Sequence, residues 1–451
     1  MAPDLRASIR TLRHLRGHEA VLQTQRTVEL IPAAGRLIGS LRDMGYEFAT
    51  AVADLVDNSI EAGATTVSVD IEFEGGNSWV RIADDGTGMA PAALREAMRY
   101  GSSRRYSDED LGKFGLGLKV ASLSQCRRLS VASRTNRDRA EVSAYCWDLE
   151  HIERTNRWEL IPVPRQPEGA SLHELLRGSS GTVVLWQRLD RILGYRDPGG
   201  EPARRRLAAM CREVEGHLAV VFHRYLSGEV RGRQLRILAN GTEIQPWDPF
   251  ARQERATKRL EPVCIQLGRS DVRGQVTLEP FVLPHQSDFS SPDTFRLASG
   301  PANWNQQQGF YVYRSHRLIQ SGGWCRIRSV DEHTKLARVA LRFSPQLDDV
   351  FRVNVSKMRV ELPHWMRDQI ADAISPVIRV ANEAYRRNGA AGGRSRQPGT
   401  HRLEPPGRFL MPSPRNMEQA VRSLVSIASA DERRVIRRVA ARLRKTAGSG
   451  R

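Results

Sequence analysis

The segment Asp54-Leu55-Val56-Asp57-Asn58-Ser59 decides how this chain is read, because it sets two carboxylates and an amide among apolar residues of helical spacing. Between Phe48 and Glu61, the apolar Val52, Ala53, Leu55, Val56 and Ile60 fall on one side of a helical wheel. Asp54, Asp57, Asn58 and Glu61 fall on the other. Asp54 and Asn58 are four residues apart, so their side chains point the same way about one turn apart. A carboxylate there can polarise a water, and an amide oxygen can help hold Mg²⁺, which prefers hard oxygen ligands. Taken by itself, the polar stripe is more often a solvated helix face.

Reading outward, Gly63 supplies a helix stop, and Val67, Val69, Ile71 and Phe73 then alternate with polar residues over 65–74. A Gly75-Gly76-Asn77 turn and a second strand over 79–83 complete a hairpin. The hairpin runs directly into Asp84-Asp85-Gly86-Thr87-Gly88-Met89. Two glycines spaced by one residue let backbone approach a flat ligand, and an acid at a strand end can accept from an exocyclic amine such as that of adenine. The same pattern also suits a plain turn between strand and helix. A short helix over 91–100, with Pro91 in its first turn, leads through a polar segment to Gly112-Lys113-Phe114-Gly115-Leu116-Gly117. Successive glycine amides opening a helix form a nest for phosphates, with the helix dipole adding positive potential. Further strands are expected over 129–133, 141–147 and 182–186, so the first domain reads as α+β, helices on one face of a mainly antiparallel sheet.

The order and spacing of these pieces resemble the GHKL ATPase superfamily, named for gyrase, a heat-shock chaperone, histidine kinases and MutL. Asp54 to Ser59 match its N-box, Asp84 to Gly88 its first glycine box, and Gly112 to Gly117 its second. Gly181-Thr182-Val183 resembles the strand that closes its adenine pocket. The resemblance implies a Bergerat-type α/β sandwich that binds ATP and Mg²⁺. It implies Asp54 as general base, Asn58 as metal ligand and Asp84 on adenine. Gly86, Gly88, Met89 and Thr182 would line the pocket, and Gly112, Lys113, Gly115 and Gly117 would hold the phosphates, with 100–117 as a mobile lid. The hydrolysing members usually carry Glu where this chain has Asp54, which would set the base about one methylene farther from its water. Slow turnover is expected, or help from Asp57.

The N-box continuation Ile60-Glu61-Ala62-Gly63-Ala64 and the run Gly115-Leu116-Gly117-Leu118-Lys119 resemble the MutL and MORC branch. In that branch a second, ribosomal-protein-like α+β transducer domain delivers a lysine to the γ-phosphate. Lys357, in Phe351-Arg352-Val353-Asn354-Val355-Ser356-Lys357, is the candidate, where it would sense ATP against ADP by charge. The strand and turn at 309–314 and 317–319 resemble those that precede the lysine loop. Their aromatics read as core.

The chain has 451 residues, 40% of them hydrophobic, enough for two or three domains with cores. The expected order is a basic leader (1–28), the ATPase domain (29–195), the transducer-like domain (196–387), a Gly/Pro/Arg-rich linker (388–415) and a basic helical tail (416–451). Within the second domain a helix is expected over 207–226, after a connector at 197–206. Strands are expected near 235–238, 276–278 and 309–313, and a terminal helix over 364–386. The net charge is +18, and residues 386–451 carry sixteen Lys and Arg against four acids, a local +12. Such a tail is an electrostatic footprint for a polyanion, nucleic acid first, although it also describes a solvated arm. Five scattered cysteines without a C-x-x-C pair read as reduced thiols. No apolar run reaches eighteen residues, so a cytoplasmic protein without membrane attachment is expected.

The expected function is an ATPase in which ATP drives homodimerisation and a clamp or switch on DNA, in repair or in antiviral defence. No nuclease signature accompanies it, so cutting would fall to a separately encoded nuclease or other partner. The alternatives are a protein-remodelling chaperone of the ninety-kilodalton heat-shock kind and a nucleotide-dependent scaffold that does not hydrolyse.

Overall fold

Helix α1 (Ala34–Arg42) precedes α2 (Phe48–Glu61), the helix of the opening motif. The computed structural model describes residues 30, 32–43, 46–101, 117–136, 141–165, 169–269, 272–301, 303–352 and 360–391. These all fall in one compact unit, Met1–Gly392. The tail, the leader and most of the linker lie outside the described residues.

The chain continues through β1 (Thr66–Glu72), β2 (Trp79–Asp84), α3 (Pro91–Met98), α4 (Gly117–Leu123), β3 (Arg128–Arg134) and β4 (Ser143–Asp148). Then come α5 (Leu149–Thr155), β5 (Ile161–Pro162), α6 (Ala170–Leu175), β6 (Gly181–Gln187), α7 (Glu201–Val221), α8 (His223–Leu226), β7 (Arg236–Ala239) and β8 (Thr242–Glu243). The eight strands form one sheet in the order β5-β4-β3-β6-β2-β1-β7-β8. Only the β1–β7 pair is parallel.

Burial explains the strand patterns. Val67, Val69, Ile71, Val80 and Ile82 turn inward and pack with Val52, Leu55 and Val56 of α2 and Leu207, Val214 and Leu218 of α7. Their neighbours on β1 and β2 point the other way and stay part-exposed, as alternation requires. Strands β3 and β6 are instead buried on both faces, because α6 covers the second face through Leu172 against Ala132, Val183 and Leu185. Each buried Val, Ile or Leu contributes about 1.5–3 kcal/mol, so these two cores hold the sheet.

Two local expectations change. Residues 197–206 do not all form a connector: α7 begins at Glu201, with Pro202 in its first turn, where a missing N–H costs nothing. The strand expected at 235–238 forms, but it joins the first sheet beside β1.

The second sheet is built from β9 (Lys258–Arg259), β10 (Val263–Arg269), β11 (Val272–Val282), β12 (Gly309–Arg314), β13 (Arg317–Ser321) and β14 (Ala337–Phe343). Its order is β10-β11-β14-β12-β13, with β9 on β11. Short helices α9 (Pro292–Ser299) and α10 (Trp304–Gln307) precede β12, and the long α11 (Arg367–Ala391) lies on the sheet. Ile370, Ile374, Val377 and Ala381 recur at helical spacing on α11 and pack against Val276, Leu278 and Val339.

The β12–β13 hairpin touches the first sheet's helices. Its turn residues Ser315 and His316 have φ of 46° and 70°, the backbone of a tight two-residue hairpin turn. The Tyr225 hydroxyl donates to the Ser315 carbonyl at 2.7 Å, and His223 Nε2 shares a hydrogen bond with the Tyr313 hydroxyl at 2.8 Å.

Candidate functional site

Helix α2 is not a solvated face. Asp54 is 3% exposed and Asp57 wholly buried, whereas Asn58, one turn after Asp54, stays part-exposed. Burying two carboxylates three residues apart on one helix requires compensating charge. Arg317, at the start of β13, supplies it. Its Nε lies 2.8 Å from both Asp57 carboxylate oxygens, and its Nη2 lies 3.7 Å from Asp54 Oδ1. Burial raises the Tyr46 phenol pKa, and the neighbouring Asp54 carboxylate raises it further. His217 of α7 is held neutral, its pKa lowered to about 4 by burial and by the Arg317 charge. Asp57 is thus tied to a guanidinium.

Asp84 ends β2 between two neighbours, opposite Val67 on β1 and Thr182 on β6. Its Oδ1 accepts from the Gly86 amide at 3.0 Å and the Thr182 amide at 3.2 Å, and its Oδ2 accepts from the Ser59 hydroxyl at 3.1 Å. Burial raises its pKa, against the lowering effect of these donors. Asp85 behaves oppositely. Burial works to raise its pKa, but the hydroxyl and amides of Thr65 and Thr66 outweigh it and pull the group down. Asp84 thus holds the strand end to the Gly86 and Thr182 amides and to Ser59, and Asp85 ties the turn to β1.

The two glycines after Asp84 are needed sterically. A Cβ on Gly86 would come within 2.8 Å of the Ala62 side chain and 2.9 Å of its carbonyl. A Cβ on Gly88, whose φ is 64°, would sit 1.9 Å from the Arg134 carbonyl. The Met89 amide donates to Ser133 Oγ at 2.8 Å, and that oxygen lies 2.9 Å from Thr182 Oγ1. Met89, Thr182 and Asp84 are thereby joined around one rim.

Gly117 begins α4 with its Cβ position 3.7 Å from Asp54 Oδ2, so the second glycine box ends against the first motif's acid. Two residues on, Lys119 is buried, and its Nζ donates to the Ala97 carbonyl at 2.9 Å and the Arg99 carbonyl at 2.8 Å. The structure thus gathers Asp54, Asn58 and Gly117 at one end and Asp84, Gly86, Gly88, Met89 and Thr182 at the other, bridged by Ser59. Gly112, Lys113, Gly115 and Lys357 lie outside the described residues. Sequence reading missed Arg317, Tyr46 and Ser133. Arg317 was visible only as part of a core strand, and its partner Asp57 is 260 residues away.

A buried-acid helix, an acid at the end of a central strand and glycines demanded by close backbone approach make this domain GHKL-like. Residues 46–182 match the family described as histidine kinase-, DNA gyrase B-, and HSP90-like ATPase. The chain is MutL-like across its N-terminal region. It is 35% identical over 126 residues to the DNA mismatch repair protein MutL of Pseudoalteromonas translucida, covering 26% of this chain and 20% of that one. To MutL of Shewanella halifaxensis it is 27% identical over 277 residues, 60% of this chain and 38% of the relative. To MutL of Aliivibrio fischeri it is 40% identical over 102 residues, 22% and 15% of the two chains. The chain therefore spans less than two-fifths of the length of these relatives.

Among the described residues no helix is long and apolar enough to cross a membrane, and no group of three or more His, Cys, Asp and Glu could hold a metal ion. All five cysteines are free thiols.

Proposed function

We propose that this chain binds ATP with Mg²⁺ and hydrolyses it slowly, as a MutL-like switch that dimerises and holds DNA. The observation that carries the reading is Asp84. A strand-end carboxylate that keeps its hydrogen-bonding capacity toward a pocket, with backbone on both sides too close for any side chain, suits the exocyclic amine of adenine. Gly86, Gly88, Met89 and Thr182 would line the base, and Gly112, Lys113, Gly115 and Gly117 would cradle the phosphates. Asp54 would act as general base, and Lys357 would reach the γ-phosphate.

The donor set fits Mg²⁺ bound together with nucleotide. One part-exposed amide oxygen, from Asn58, suits a cation that takes most of its ligands from phosphate and water. When bound, Mg²⁺ would neutralise phosphate charge. Asn58 would hold it, Asp54 would take the water's proton, and the glycine amides would orient the phosphates.

ATP-dependent homodimerisation and a DNA clamp extend the reading to the whole molecule, supported by the likeness to mismatch-repair MutL and by the basic residues of 386–451. A role in DNA repair follows most directly, with defence against foreign DNA beside a separately encoded nuclease as the other setting. A nucleotide-dependent switch without turnover is favoured by one observation, the short side chain of Asp54, 3% exposed, where the hydrolysing members usually carry Glu. ATP binding and turnover of the parent, Asp54→Asn and Asp84→Ala decide between them. Turnover should vanish in Asp54→Asn with binding kept, and binding should fall in Asp84→Ala. A parent no faster than Asp54→Asn would leave only the non-hydrolysing switch.

A further inference from the structure

We infer that Arg317, carried by the second sheet, is a positioning residue for the general base of the first, so that the catalytic site is complete only when the β12–β13 hairpin is seated on α2. This deepens the proposed ATPase reading and rests on it.

Three observations support it. The guanidinium is buried, 2% exposed, and divides itself unequally between two acids. It makes a close, two-oxygen contact with Asp57 at 2.8 Å, and it stands 3.7 Å from Asp54. The first contact anchors it. The second is too long for a hydrogen bond but short enough for charge to act. A guanidinium at that distance attracts the Asp54 carboxylate while its Nε hydrogen-bonds Asp57.

The hairpin is also held rigidly where it delivers Arg317. The Tyr225 hydroxyl grips the Ser315 carbonyl, Tyr313 bonds His223, and the Arg224 guanidinium lies 3.6 Å from the centre of the Tyr313 ring. On the hairpin's other side, Arg314 Nε lies 2.9 Å from both Asp348 oxygens in a buried pair. Arg317 therefore cannot follow Asp54 independently of the second sheet. Asp54 and Asp57 share α2, so a guanidinium fixed on Asp57 also fixes the angle at which α2 presents Asp54.

The test compares steady-state turnover and ATP affinity of the full chain with those of Arg317→Lys, Arg317→Gln and the paired Arg317→Gln/Asp57→Asn. The pair replaces the buried ion pair by two amides and controls for misfolding, which thermal melting monitors. Loss of kcat by about tenfold or more in Arg317→Gln and in the folded pair is expected, since general-base contributions reach 10²–10⁴. KM should stay within about threefold, and Arg317→Lys should recover part of the rate. A merely structural arginine would instead leave kcat of the folded pair at the parent value, and that result overturns the inference while leaving the ATPase reading intact. Equal and low turnover of the parent and Asp54→Asn would remove both.

Discussion

The Ser59 hydroxyl donates to Asp84 Oδ2 across 3.1 Å, joining the helix that carries the buried acids to the end of β2. This bond couples the two halves of the site and lowers the Asp84 pKa against the raising effect of burial. Removing it in Ser59→Ala should cost about 0.5–1.5 kcal/mol of ATP affinity, roughly a twofold to twelvefold weaker Kd by calorimetry. The pH dependence has a definite sign. Asp84 is the stronger acceptor when ionised, and its pKa is raised above 3.8, so affinity should weaken as pH falls, with a midpoint above that value. Ser59→Ala should move the midpoint higher still.

Gly88→Ala places a methyl against the Arg134 carbonyl at a backbone angle that side chains avoid. The segment after β2 must move off the paired ends of β3 and β6, so a loss of about 2–4 kcal/mol is expected. A lower Tm should accompany loss of the ATP-induced rise in Tm. Gly63→Ala, at a φ of 71° but in open space, should cost less and keep the ATP response.

Lys119 offers a pH test of folding. Burial lowers its pKa from 10.5 to about 8, with the Glu96 charge opposing. The folded state therefore releases this proton before the unfolded state does. Stability from this group is lowest below pH 8, rises between about pH 8 and 10.5, and is level above. Denaturant titrations of the parent against Lys119→Met should show the parent gaining up to about 1 kcal/mol per pH unit across that window.

The buried Arg314–Asp348 pair should be costly to break from one side. Arg314→Met leaves Asp348 buried without its partner, and a loss of about 3–5 kcal/mol is expected from denaturant unfolding. Arg314→Met combined with Asp348→Leu should recover much of it, since the desolvation cost then disappears with the charge.

Residues 386–451 hold a net +12. Truncation after Gly392 should weaken DNA binding about tenfold or more at low salt and flatten the dependence of log Kd on log salt, with ATP affinity unchanged. Filter binding across a salt series reads both.

Much of the site was legible in the chain itself. The α2 helix falls on Phe48–Glu61, as its apolar spacing requires, and the Asp84-x-Gly86-x-Gly88 pattern stands where a strand ends. These are local properties: helical period, strand alternation and the steric freedom of glycine act between neighbours in sequence. For the same reason the sequence left two readings of the polar stripe open. Exposure depends on what packs against the helix, and that packing comes from α7 and from a hairpin far along the chain.

The sequence by itself determined the order of motifs, the helix and strands that carry them, and the residues available for nucleotide. Only the tertiary structure decided that Arg317 sits on Asp57 and beside Asp54, that Ser59 bridges to Asp84, and that β7 completes the first sheet rather than the second. The physical reason is separation. Arg317 and Asp57 are 260 residues apart, and nothing periodic in either segment specifies the other. What brings them together is the cost of burying two carboxylates on one helix, which this fold meets with a cation from the second sheet.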